Sequence, residues 1–84
     1  MTDTNNKEKR LPEKWSVYLS EQPETGMDYQ VGDVVLADGT IIKDVAFVGS
    51  ALIGEVKGYE NIPFGPNNIK EIRLTHKRWQ FKRS

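Results

Sequence analysis

The residues best placed to do chemistry stand together at the end of the chain, in "THKRWQFKRS", residues 75–84. Cations alternate there with large aromatics. That pattern suits single-stranded nucleic acid: Lys77, Arg78, Lys82 and Arg83 would meet phosphates, and Trp79 and Phe81 would stack on bases. The same residues also suit a second use. Residues 15–69 carry Lys43 and Lys57 against eight acidic side chains, a net of −6, whereas residues 70–84 carry a net of +5. A basic last segment folded onto an acidic body neutralises it, and an acidic body repels a polyanion. The sequence pI of about 6.6 is far from the basic footprint usual for nucleic-acid binders. Internal packing is therefore the first reading of this segment, nucleic-acid binding the second, and an anchor for a protein partner the third.

Reactive constellations are otherwise sparse. His76 is the single histidine, and there is no cysteine, so no thiolate nucleophile or thiolate metal site can form. No serine sits in G-x-S-x-G. "GSALIGEV" has the glycine spacing of a phosphate loop, but Glu55 and Val56 stand where Lys and Ser or Thr are required. The expectation is a non-enzymatic protein with no cofactor. The absence of cysteine fits a reducing compartment, and no apolar run approaches the ~20 residues of a membrane span. A cytoplasmic protein without membrane or small-molecule partners is expected.

Positioning these residues falls to a single domain of 84 residues. Residues 1–12 read as a disordered tail, because "MTDTNNKEKR" holds no apolar residue after Met1. Residues 13–84 form the domain. The centre is β: Val- and Ile-rich segments at about 29–37, 40–48 and 51–58 are separated by Asp38-Gly39, a type I′ turn, and Gly49-Ser50, a type II′ turn. Ile62-Pro63-Phe64 suits a short edge strand. Ile69 and Ile72 suit one 3₁₀ turn, and Ile72 with Leu74 a final strand. "PEKWSVYLS" satisfies both periods. Trp15, Tyr18 and Leu19 share a helical face behind Pro12, while Trp15, Val17 and Leu19 alternate as in a strand. The strand is preferred for its Trp, Val and Tyr content.

This order of hairpins, short strand, 3₁₀ turn and last strand resembles a small SH3-like barrel of about five strands. "VGDVVLADGTIIKDVAFVG" is similar to the first half of an Sm-like domain, a variant of that barrel. The resemblance implies an all-β fold. It does not extend to the RNA pocket: those RNA binders carry an Asp and an Asn after the second strand, where this chain has Gly49-Ser50. They carry an Arg-Gly pair late in the chain, where this one has Ile72-Arg73-Leu74.

Two-residue turns fix a register by counting. Leu36 then faces Ile41 and Phe47 faces Leu52, and Val34, Leu36, Ile41, Val45, Phe47 and Leu52 form the core face. The opposite face carries Tyr29, Val31, Val35, Ile42, Ala46, Val48 and Ile53. It is too apolar to stand in water. Trp15 and Leu19, Trp79 and Phe81, or a partner molecule must cover it. The same register aligns Asp33, Asp44 and Glu55 on neighbouring strands roughly 5 Å apart. Such a row either binds a hard cation or is relieved by nearby bases. With the last strand beside the first, Arg73 and Lys77 fall near it. The expected role is an interaction module for a protein partner or a second copy of itself. Trp79, Phe81, Lys77, Arg78, Arg73, Tyr29 and Ile42 are its contact residues.

Overall fold

The computed structural model describes residues 9–79. They form one antiparallel sheet of five strands, curled into a half-barrel, with one helix and one 3₁₀ turn. The strands are β1 (Lys9–Arg10), β2 (Tyr29–Leu36), β3 (Ile41–Val48), β4 (Leu52–Val56) and β5 (Ile69–Leu74), in the spatial order β1-β4-β3-β2-β5. The fold is mostly β, as the sequence indicates.

Four local expectations are corrected. The tail expected over residues 1–12 does not reach residue 12: Lys9 and Arg10 pair with Ile53 and Leu52, and Leu11 is buried in the core. Residues 13–20 are not a strand but α1 (Glu13–Ser20). The helix wins because its i, i+3, i+4 face puts Leu19 wholly inside the core and rests Trp15 and Tyr18, edge-to-face with each other, against it. Ile62-Pro63-Phe64 is not a strand; Ile62 and Phe64 plug the core from an irregular loop. The 3₁₀ turn comes earlier, at Pro66–Asn68, where Pro supplies the fixed φ of its first position. That releases Ile69 to begin β5.

Both hairpins exist, but their registers slip at the turns. The first is closed by Leu36 and Thr40 around the loop Ala37-Asp38-Gly39, with Gly39 at φ 93°. This is a three-residue loop, not a type I′ pair, so Val34 faces Ile42 and Val35 faces Ile41. A bulge then restores the counting. Asp33 spans Lys43 and Asp44, Asp44 takes φ 57°, and from Gly32↔Val45 to Tyr29↔Val48 the partners are those expected. At the second turn both Gly49 (φ 61°) and Ser50 (φ 57°) are left-handed, which is type I′ rather than type II′. Phe47 faces Ile53, and a second irregularity at Gly54 places Ala46 opposite Glu55.

Because side chains alternate, each slip exchanges faces. Ile53 is fully buried in the core and Ile42 packs against it, whereas Ile41 is 49% exposed and Leu52 lies outside the core cluster. Val34, Val45 and Phe47 are core residues as expected. Val31 and Ala46 are fully buried yet belong to no part of that cluster; they occupy the other face.

Candidate functional site

The residues after β5 run back across this second face. Thr75 and His76 both donate their main-chain N–H to the Val31 carbonyl at 2.9 Å, and His76 turns the chain at φ 58°. Lys77 Nζ then reaches the Asp44 carboxylate on β3 at 3.2 Å. Trp79 donates its indole N–H to Glu55 on β4 at 2.9 Å and its main-chain N–H to the Tyr29 hydroxyl on β2 at 3.4 Å. One short strap therefore ties three strands together over Val31 and Ala46. It supplies the cover that the apolar face requires.

The strap meets a second ordered segment, the loop that leads into β2. Gly26 and Tyr29 close a tight turn and exchange main-chain hydrogen bonds, with Asp28 left-handed at φ 66°. A Cβ at Gly26 would overlap the Tyr29 ring, so only glycine lets the ring lie against the turn. The Asp28 carbonyl accepts from Gly49 N–H at 2.9 Å, which pins the turn to the second hairpin. Thr25 joins loop and strap: its hydroxyl accepts the Val31 N–H at 3.0 Å and lies 2.7 Å from His76 Nδ1. Behind the loop, the buried Gln30 amide holds the carbonyls of Leu19, Pro23 and Gln22 at 2.9–3.3 Å.

Between loop and strap opens a groove of about 790 Å³ lined by Thr25, Gly26, Tyr29, His76, Arg78 and Trp79. No carboxylate lines it among the described residues. On the rim turn stands Met27, 93% exposed.

Of the contact residues expected from the sequence, this geometry gathers Tyr29, Arg78 and Trp79. Lys77 is drawn to Asp44 beneath the strap. Arg73 lies on β5, bonded to Glu71 at 3.0 Å and opposite Asp33. Ile42 belongs to the core side, because the three-residue loop moved it there. Phe81, Lys82 and Arg83 lie outside the described residues.

The acidic row does not form as expected. The bulge turns Asp44 out of line, so that Asp33 accepts the Asp44 N–H at 3.1 Å. The Asp44 carboxylate holds Lys77, and Glu55 accepts from Trp79. Among the described residues no three carboxylate or imidazole groups converge as metal ligands do.

Thr25, Gly26, Met27 and His76 are site residues that the sequence reading did not assign. The available signal was Met27 itself, a bare apolar side chain between Gly26 and Asp28 in an otherwise polar loop.

The Thr25–His76 contact has the length of a nucleophile–base pair but not its organisation. The Thr25 hydroxyl oxygen is already committed to a main-chain N–H, and among the described residues no carboxylate orients the far imidazole nitrogen. It acts as a tether between loop and strap.

Compared with known proteins, the chain matches no family model, no curated protein and no solved structure. No helix among the described residues is long and apolar enough to cross a membrane.

Proposed function

We propose that this chain is a non-enzymatic interaction module, built on a small barrel of SH3-like type, that binds a protein partner through the groove between Tyr29 and Trp79. The observation that carries this reading is Met27. A large apolar side chain exposed to 93% stands on a turn fixed by main-chain hydrogen bonds and by the Tyr29 ring against Gly26. Presenting it costs this chain little main-chain ordering entropy on binding, because the turn is already fixed. Aromatic residues, Met and Arg are the side chains enriched at the centres of protein interfaces. The cysteine-free composition suits the cytoplasm, where we place its action.

A second reading, binding of single-stranded nucleic acid, draws support from a lining of Tyr29, Trp79, His76 and Arg78 with no carboxylate among the described residues. It is the weaker one, because among the described residues Lys77 serves Asp44 and Arg73 serves Glu71.

Affinity capture from nuclease-treated extract, with wild type, Met27→Asp and Trp79→Ala run in parallel, separates the two. A protein retained in stoichiometric amount by wild type and lost with Met27→Asp supports the protein-binding reading. Retention that disappears with nuclease, together with steeply salt-dependent affinity for a uridine 12-mer that Trp79→Ala abolishes, supports the alternative.

A further inference from the structure

β5 is an edge strand, and its sequence carries a pairing code. It bonds β2 along one side. From Lys70 to Leu74 no main-chain group bonds any described residue outside β2. Exposed edges of this kind template pairing with another chain unless something blunts them. Blunting by charge works when the charges repel a second copy. The exposed side chains are Lys70, at the irregularity that begins the strand, and Glu71 and Arg73, which share one face, have opposite sign and are bonded to each other at 3.0 Å. Ile72 and Leu74 point inward, against the core.

A second copy can add to this edge only antiparallel if the pair is to close on itself about a two-fold axis. Faces must also be kept, so allowed registers differ by two-residue steps. An axis at Glu71 opposes the two Glu71 carboxylates, and an axis at Arg73 opposes the two guanidinium groups. Either is repulsive. An axis at Ile72 does the reverse. Each Arg73 then lies across from the partner's Glu71, giving four charges of alternating sign on the outer face, while Ile72 meets its own counterpart on the inner one. We propose that the chain forms a two-fold dimer through antiparallel β5–β5 pairing centred on Ile72, the register that the charges of Glu71 and Arg73 select. The groove is not part of this contact, so the dimer stands or falls separately from the reading of the groove.

The test is sedimentation equilibrium of the full chain from micromolar to millimolar concentration, with four samples: wild type, Glu71→Arg, Arg73→Glu and the double swap. Wild type is expected to rise toward twice its monomer mass. Each single variant should weaken association by about tenfold or more, because both symmetry-related pairs turn repulsive. The double swap should recover it. An equimolar mixture of the two single variants should associate as well, since one edge then carries two cations and the other two carboxylates. Both substitutions sit at exposed positions, and circular dichroism checks that each variant stays folded. A wild type that remains monomeric at millimolar concentration overturns the proposal. So do single variants that associate as wild type does, or a double swap that stays as weak as they are.

Discussion

Gln30 is the fully buried polar side chain of the described residues, and its amide serves the end of α1. The last carbonyls of a helix lack partners within it; here Leu19 accepts both the Gln22 N–H and the Gln30 amide, which ties the helix end and the loop after it to β2. Two amide protons are shared among three carbonyls. Gln30→Leu keeps the volume and removes the donors: the carbonyls of Gln22 and Pro23 lose this partner, and the buried Leu19 carbonyl keeps only the Gln22 N–H. An expected loss of about 1–3 kcal/mol would appear as a lowered urea midpoint with unchanged slope.

Two exposed carboxylates set a modest dependence on pH. The Thr40 N–H holds the Asp38 carboxyl below its ordinary range, and the hydrogen bond from Arg73 does the same for Glu71. A carboxyl whose pKa is lower folded than unfolded adds stability that is present above its unfolded pKa. That stability is lost as pH falls through the folded one. The melting temperature should therefore fall with acidification below about pH 4. Asp38→Asn with Glu71→Gln should flatten that fall. An unchanged slope would show that other carboxylates govern it.

At the scale of elements, register decides what each residue does. Asp44 is the pivot: its left-handed backbone absorbs the extra residue that the first loop sends into β3. A β-branched residue resists that conformation, so Asp44→Val should cost about 1–3 kcal/mol. Asp44→Gly, which keeps the bulge and loses the Lys77 pair, should cost less. Thermal melts of the two variants rank them; equal losses would mean that the ion pair matters and the backbone does not.

The bulge also marks how far the sequence could be read. Both hairpins were visible in Asp38-Gly39 and Gly49-Ser50, and the apolar character of both sheet faces foretold a cover. The pairings of Ile42 and Ile53 were not legible, because a bulge at a non-glycine residue leaves no trace in an apolar–polar pattern. Nor could α1 be separated from a strand. Trp15 and Leu19 satisfy both periods, and the choice rests on a core that only the assembled sheet creates. The strap was half legible. Trp79 and Ile72 differ in parity, so one straight strand cannot bury both on one face, but the turn at His76 had no glycine to announce it.

For the whole molecule, one ion pair among the described residues bridges the acidic body and the basic segment, Lys77 with Asp44. Arg73 meets Glu71, and the basic segment lies on the acidic face. These exposed contacts steer the strap more than they stabilise it. What they leave outside is the groove with Arg78, Tyr29 and Trp79, and Met27 above it.

The claim that this surface is where the protein meets its partner is tested most directly by photocrosslinking in living cells. A benzophenone amino acid would replace Met27 in the full chain, with a second chain carrying it at the exposed Tyr59 as control. The expected result is one discrete protein adduct from position 27, insensitive to nuclease and absent from position 59. No adduct, an adduct that nuclease removes, or the same adducts from both positions would contradict it.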